Sequence, residues 1–341
     1  MLHGSSGRFA LSLFNNATML TYLARSNLDV WGVDLRWVRV PRDQAEFSFM
    51  KDWNFSTQIS DILLATRFAR HVRRLTDQRF GRLNLAGASL GASLVYAVAN
   101  AEASVPHWER DIAGLIPMDT IYVLPAGSSA TRSLFCQIET SYRAALAAGS
   151  YALNSLATID VGTLAKTDPD GISPVSPTLT NREVAFNAGA ALSFAPALPY
   201  HIYSVARDAS GRPVDGVFTR PEIMFETMAN FTPYRARATM TDYFAIPCGQ
   251  TDLPYDDHLA EISVPVLYVG TAGGMGKEGL YVLQLLGSRD ISTQFVQTLA
   301  DSEATNDFGH LDWQAAANAE TLVWDPIRKW ILIHHGRKSG R

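Results

Sequence analysis

The sequence has few cysteines and no strong excess of either charge. Its 341 residues include two cysteines, Cys136 and Cys248, and 29 basic against 33 acidic side chains, for a formal net charge of -4. Two cysteines are too few for a small fold held together by disulfides, and their spacing is not that of metal ligands. They are either buried thiols or, in an exported protein, a single disulfide. The balanced charge, with basic residues concentrated only in the tail at 334–341, argues against a nucleic-acid partner.

Long apolar runs are also missing. The longest uncharged stretch, residues 184–206, is interrupted by Asn187, Pro196, Pro199 and His201, and it does not suit a membrane span. We therefore expect no membrane insertion. With 47% hydrophobic residues, the chain can build a sizeable core, but nothing in it indicates an oligomeric state.

Apolar segments alternate between strand-like and helix-like patterns. Compact β-favouring runs predict buried parallel strands at residues 28–37, 82–88, 111–119, 264–270 and 293–299. Apolar residues at helical spacing predict helices at residues 55–78, 90–103 and 315–333. This alternation predicts an α/β fold with a doubly wound, mostly parallel sheet.

The stretch between the two halves of this pattern has a different composition. Residues 121–261 are rich in Ala, Ser, Thr, Pro and aromatic residues, with helical patches and no evident sheet strand. Thr180 and Glu183 have the spacing of a capping box that opens a helix at 184–192. We therefore expect a core formed by residues 1–120 and 262–341, with residues 121–261 inserted as a helical cap.

One motif points to covalent chemistry. Gly87, Ser89 and Gly91 match Gly-x-Ser-x-Gly between a predicted strand and a predicted apolar helix. The glycines permit a very tight turn that exposes the serine hydroxyl, and the helix N-terminus stabilises negative charge developing beside it. Ser89 is therefore our candidate nucleophile; the alternative, a plain turn of a nucleotide-binding unit, does not fit the glycine spacing.

A serine nucleophile needs a base to take its proton. Of eight histidines, His310 lies after the last predicted strand and before the closing helix, next to Gly309. This position agrees with the chain order, serine first and histidine late, that accompanies a Gly-x-Ser-x-Gly turn, so we predict that His310 is the general base. The following histidines do not have a comparable position: His107, His201, His258, His334 and His335.

The acid that would orient His310 is less clearly marked. The segment after residues 264–270 contains no carboxylate before Glu278, so we prefer Asp119, at the end of the preceding strand. As a structural alternative, Asp119 could cap the first turn of the insertion. The other candidate acids are Glu278, Asp301, Glu303, Asp307 and Asp312.

The chain begins with a further candidate element. His3 and Gly4 open a turn in which the backbone N–H of Ser5 could join that of Leu90 in an oxyanion hole. No metal-ligand constellation accompanies these residues, so we expect neither a metal nor a cofactor.

Together, HGSSG, GASLG and FGHLDW resemble the α/β-hydrolase superfamily, in particular its serine esterases and lipases with a helical cap. The resemblance covers almost the whole chain and implies an acyl-enzyme mechanism with Ser89, His310 and the amides of Ser5 and Leu90. Two features depart from the pattern: the acid is displaced, and the first strands are missing ahead of His3. Either the sheet of the family is shortened here or the natural protein begins upstream of Met1, and we prefer the second interpretation.

The aromatic and Met residues of residues 121–261 suggest an apolar pocket and hence a small hydrophobic ester as substrate. For any single one of them, packing is the simpler interpretation. They are Phe186, Phe194, Tyr200, Tyr203, Phe218, Met224, Phe225, Met228, Phe231, Tyr234, Met240, Tyr243 and Phe244. Amide or lactone cleavage, acyl transfer, and a non-catalytic binding protein on the same scaffold remain open alternatives.

Overall fold

The computed structural model describes residues 1–9, 18–76, 81–190 and 200–334. The strands in this part of the chain are β1 (Leu83–Ala88), β2 (Ile112–Met118), β3 (Ala152–Asn154), β4 (Ile172–Ser173), β5 (Ser176–Thr180), β6 (Val205–Arg207), β7 (Pro213–Gly216), β8 (Tyr234–Ala236), β9 (Val266–Thr271) and β10 (Ile291–Val296). The α-helices are α1 (Met19–Arg25), α2 (Phe55–Leu75), α3 (Leu90–Ala103), α4 (Ser129–Ala147), α5 (Leu156–Thr167), α6 (Asn181–Ala190), α7 (Pro221–Ala229), α8 (Arg237–Cys248), α9 (Gly276–Gly279), α10 (Asp312–Ala315) and α11 (Asp325–His334).

A four-stranded parallel sheet organises the molecule. Its order is β1-β2-β9-β10, and every neighbouring pair is parallel. Every residue of β9 and nearly every residue of β2 is buried, as expected for central strands covered on both faces. Four of the five predicted strands are confirmed, and the last one begins two residues earlier than predicted.

The remaining predicted strand, the first in chain order at residues 28–37, is wrong. Only Val33 makes a bridge, to Leu2, which also bridges Gly87 of β1. A 3-10 helix follows at Arg36–Arg39. The amide of Leu35 donates to the His3 side chain rather than to a neighbouring strand. The ladder therefore ends at Val33, because no strand accepts the next backbone donor.

Two helices pack beside the sheet where the sequence predicts them. α3 directly follows β1, and all but one of its residues are buried, as its Ala-rich composition predicts. α2 begins at an N-cap in which Asn54 accepts from the amide of Thr57, 3.0 Å away. It ends at Leu75, whereas residues 77 and 78 of the predicted helix lie outside the described residues.

Between β2 and β9 the chain forms helices α4 to α8, as the composition predicts. It also forms three antiparallel pairs, β3 with β8, β4 with β5, and β6 with β7, which the sequence analysis missed. The predicted capping box is present, since Glu183 accepts from the Thr180 amide and Thr180 accepts from the Glu183 amide. The helix it opens is described as far as Ala190, and residues 191 and 192 of the prediction lie outside the described part.

A disulfide joins Cys136 on α4 to Cys248 at the end of α8, with the Cα atoms 4.8 Å apart. Of the two alternatives left by the sequence, the structure therefore adopts the bridge. It links the two helices across 112 residues of sequence.

The predicted closing helix at 315–333 is interrupted. A short α10 is followed by a π-helical turn at Glu320–Trp324 and then by α11. These elements contribute Trp313, Trp324 and Trp330 to a buried cluster that also contains Phe308 and Val269. This cluster covers one face of the sheet and supports the loop that carries His310.

Candidate active site

Ser89 lies in the sharp turn between β1 and α3. Its backbone has φ 55° and ψ -125°, a conformation that costs about 1–3 kcal/mol for a residue other than glycine. The amide of Ser89 donates to Met118 O at 2.9 Å, and the Ser89 carbonyl accepts from Ala92 and Ser93. These bonds hold the strained turn and place its serine at the end of β2.

The two glycines of the motif are required by close backbone approach. A Cβ added to Gly87 would lie 2.3 Å from Gly91 O, and one added to Gly91 would lie 2.6 Å from His3 O. Real side chains do not tolerate such distances. The spacing read from the sequence therefore has a direct steric cause.

His310 lies in the loop between β10 and α10. Its side chain is buried, its amide donates to His201 O at 2.8 Å, and its carbonyl accepts from Trp313 Nε1 at 2.8 Å. Its Nδ1 is 2.6 Å from Asp119 Oδ2. The imidazole is thus fixed through its backbone and through one ring nitrogen, which leaves Nε2 for another partner.

Asp119 lies directly after β2, fully buried, with φ 47°. Its Oδ1 accepts from the amide and hydroxyl of Thr271, each at 2.9 Å, and its Oδ2 accepts from the Met275 amide at 3.0 Å as well as from His310. Four donors thus converge on one carboxylate, an arrangement that stabilises negative charge in a buried position.

The turn after β9 is shaped to receive this carboxylate. Thr271 and Met275 contribute backbone and hydroxyl donors there, and a Cβ added to Gly274 would lie 2.4 Å from Asp119 Oδ2. The absence of an acid between Thr271 and Gly276 therefore has a physical reason, because the donors for Asp119 occupy that space.

The other candidate acids have different partners. Asp307 accepts from the amides of Thr298, Leu299 and Phe308, whereas Asp312 accepts from Ser204, Gly309 and Thr219. Burial raises the pKa of Asp312. Two of the remaining candidates lie at the surface, Asp301 beside exposed Gln297 and Glu303, whereas Glu278 lies near Tyr200, which is also close to Asp119.

The turn at the start of the chain lies against Ser89. A Cβ added to Gly4 would be 3.3 Å from Ser89 Cβ, and Ser5 O accepts from Trp37 Nε1 at 3.2 Å. The Leu90 amide is the first of α3 and has no acceptor within the helix. The structure thus brings the turn and the helix N-terminus to the same serine.

His3 supports this turn as a neutral imidazole. Its Nε2 accepts from the Leu35 amide at 3.0 Å, so Nδ1 carries the hydrogen and donates to Gly4 O at 2.7 Å. Burial lowers the pKa of His3, which keeps the ring uncharged.

Sequence reasoning missed two side chains of the site. Tyr243 on α8 is buried near Ser89 and Thr120, and burial raises its pKa to about 12. His201, which had no apparent role, contacts the His310 loop through its carbonyl and through a 2.8 Å bond between its Nε2 and Asp307 O. Both contacts join distant segments, so no local pattern could have revealed them.

Most of the aromatic and Met residues expected to form an apolar pocket are packed instead. Phe186, Tyr203, Met224, Phe225 and Met228 form one buried cluster. Tyr200, Tyr234, Met240, Tyr243 and Phe244 belong to the main core, Phe218 and Phe231 pack at cluster edges, and Phe194 lies outside the described residues.

Within residues 1–9, 18–76, 81–190 and 200–334, no group of three or more His, Cys, Asp and Glu side chains could hold a metal ion. Over the same ranges, no helix has the length and apolar character needed to cross a bilayer.

No protein-family model matches the chain, and no curated protein sequence matches it. Solved structures do. A candidate lipase from Sulfolobus solfataricus is 20% identical with a TM-score of 0.66, over 97% of this chain and 84% of that one. A soluble variant of monoglyceride lipase from Saccharomyces cerevisiae, solved with a substrate analogue, is 11% identical with a TM-score of 0.55, over 98% and 85%.

Both of these proteins are α/β-hydrolases. The chain therefore has the α/β-hydrolase fold, as the sequence motifs suggested. At these identities the likeness establishes the fold alone.

Proposed function

We propose that the protein is a serine hydrolase that cleaves carboxylic esters through an acyl-enzyme intermediate. The observation that carries this proposal is the 2.6 Å contact between His310 Nδ1 and the buried carboxylate of Asp119, at the end of β2 to which the Ser89 turn is bonded. Such a pair fixes the imidazole tautomer that can accept a proton at Nε2.

In the proposed reaction, Ser89 Oγ attacks the ester carbonyl carbon while its proton passes to His310 Nε2. Asp119 stabilises the imidazolium that forms, and the amides of Ser5 and Leu90 bind the oxyanion. The carbon–oxygen bond to the alcohol then breaks, and the alcohol leaves with the proton from His310. Water repeats these steps to release the acid and restore Ser89.

We further propose that residues 1–120 and 262–341 form the catalytic core and that residues 121–261 form a cap over it. One contact supports this division of roles: the Thr232 amide donates to Ser6 O at 2.9 Å. The intervening segment thus touches the turn at the start of the chain.

The substrate we propose is a small hydrophobic ester. Support comes from the two structural neighbours named as lipases. The aromatic residues expected to line a pocket give less support, because many of them are packed in the core. Short-chain and medium-chain nitrophenyl esters test this directly. Faster turnover of the medium-chain ester supports the proposal, and equal or reversed preference contradicts it.

A fluorophosphonate probe tests the chemistry independently of the substrate. We expect labelling of the wild-type protein, none of Ser89→Ala, and at least about 100-fold slower labelling of His310→Ala. A folded wild-type protein that is not labelled would identify a binding protein on a hydrolase scaffold instead. Amides, lactones and acyl acceptors presented to a labelled enzyme would distinguish the remaining acyl reactions.

A further inference from the structure

His201 connects the two parts of the site that hold His310 and Asp119. It belongs to the intervening segment, residues 121–261. Its amide donates to Gly273 O at 3.0 Å, and its carbonyl accepts from the His310 amide at 2.8 Å. Gly273 belongs to the turn after β9, whose donors surround Asp119. One residue is therefore bonded both to the loop of the candidate base and to the turn that holds the candidate acid.

The partly buried side chain of His201 makes the same connection. Its Nε2 is 2.8 Å from Asp307 O, and because a carbonyl can only accept, Nε2 carries the hydrogen and donates. A Cβ added to Gly273 would lie 2.5 Å from His201 Nε2, and one added to Gly309 would lie 2.8 Å from His201 Cδ2. The imidazole therefore fills the space against both glycines, one in the turn after β9 and one next to His310.

The backbone around His201 is held independently of the ring. The Ser204 amide donates to Asp312 Oδ2 at 3.0 Å, and the same oxygen accepts from the Gly309 amide at 2.8 Å. Asp312 is fully buried, so these bonds are shielded from water. Removal of the imidazole should therefore leave the segment attached to the loop of His310 and change mainly the spacing between that loop and the turn after β9.

We propose that His201 is a positioning residue that sets the distance between His310 and Asp119 by joining the loop of the base to the turn that holds the acid. The 2.6 Å separation of His310 Nδ1 and Asp119 Oδ2 must persist while the imidazole takes the proton of Ser89 and becomes positively charged. Small displacements of catalytic groups lower the rate steeply. The inference rests on the proposed function, and it gives residues 121–261 a part in holding the catalytic base.

The test compares two replacements of His201 that differ in the hydrogen-bond donor. His201→Gln keeps an N–H that can reach Asp307 O, whereas His201→Leu has a similar size and no donor. We expect His201→Leu to lower kcat on a nitrophenyl ester by about 10- to 100-fold, with KM changed by less than about twofold, because the base acts in the transition state. His201→Gln should keep most of the wild-type kcat.

Proton NMR reports the geometry of the pair directly. The hydrogen that His310 Nδ1 donates to Asp119 should give a strongly downfield signal in the wild type. We expect this signal to move or disappear in His201→Leu and to return in His201→Gln, whereas a general loss of stability would not move it in the folded protein. The matched control is His258→Leu, since His258 lies in the same segment but is bonded to Glu261, with Nδ1 and Oε1 2.9 Å apart. It should keep both the rate and the signal.

If His201→Leu does not fold, His201→Asn, whose amide is too short to reach Asp307 O, is measured in the same way. An active wild type whose donor-free variant keeps kcat and the NMR signal would make the assignment of His201 wrong while the proposed function stands. A lower kcat with an unchanged signal, or a rise in KM alone, would also overturn it. A folded wild type that neither hydrolyses esters nor reacts with the fluorophosphonate probe would overturn both proposals.

Discussion

At the scale of single residues, the Asp119 carboxylate is surrounded by donors that it alone satisfies. Replacement by Asn would keep the size but put an amide hydrogen where His310 Nδ1 donates. We expect Asp119→Asn to lower kcat by about 10³- to 10⁴-fold, because the imidazole would lose its required tautomer. Ester hydrolysis by Glu303→Gln, at an exposed candidate acid, provides the control. A comparable loss there, or none in Asp119→Asn, would contradict the assignment.

The turn after β9 offers a second residue-scale prediction. A methyl group at Gly274 would overlap Asp119 Oδ2, whereas one at Gly127 would meet nothing within 4 Å. We expect Gly274→Ala to displace the carboxylate and lower kcat by about 10-fold or more, since small misplacements of catalytic groups cost rate steeply. Gly127→Ala should hydrolyse the same ester at the wild-type rate. Equal rates for both variants would mean that the turn can relax.

His3 predicts a dependence of stability on pH. Because burial lowers the pKa of His3 in the folded protein, the unfolded chain takes up a proton below about pH 6.5 that the folded protein does not. Its contribution to the free energy of unfolding is therefore fully present above that pH and falls as the solution is acidified. Urea titrations at pH 7.5 and pH 5.5 should show a larger loss for the wild type than for His3→Gln. Identical losses would rule out this role.

At the scale of elements, the sequence predicted what local patterns encode. β1, α3 and the glycines of the elbow follow from apolar runs and steric demands within about 20 residues. The strand predicted at 28–37 is wrong because the segment pairs only at Val33, with Leu2, and the Leu35 amide then donates to His3. Both partners lie far away in the sequence. The antiparallel strands β3 to β8, which lie between β2 and β9 in the sequence, are two to five residues long. They are too short to give a periodic signal.

The candidate catalytic residues also differ in how far local patterns reveal them. Ser89 and His310 stand out by motif and chain order, and Asp119 was preferred because the turn after β9 lacks an acid. The partners of Asp119 on Thr271 and Met275, and the approach of Tyr243, join segments more than 100 residues apart in sequence. No composition or spacing encodes such contacts.

The disulfide gives an element-scale prediction, because it closes a 112-residue stretch between α4 and α8. Constraint of the unfolded chain by a loop of this length contributes about 2–5 kcal/mol. We expect the Cys136→Ala, Cys248→Ala double variant to lose about that much in urea unfolding, and a reductant to lower the stability of the wild type alone. Unchanged stability of both would show that the two helices are held by packing without help from the bridge.

At the scale of the whole molecule, the core does not stop at the boundary of residues 121–261. One buried cluster contains Leu2, Leu94 and Val266 from around the sheet together with Phe135 and Phe244 from α4 and α8. Shared burial of this kind couples the unfolding of two segments, since neither can expose its apolar surface alone. We therefore expect a single cooperative unfolding transition.

The distribution of tryptophan makes this expectation testable. All seven Trp residues lie outside residues 121–261, so their fluorescence reports the sheet and its helices, whereas far-ultraviolet circular dichroism also includes α4 to α8. The two signals should follow the same urea curve, with the same midpoint and slope. If the dichroism changed at a lower urea concentration than the fluorescence, residues 121–261 would be a separately unfolding unit.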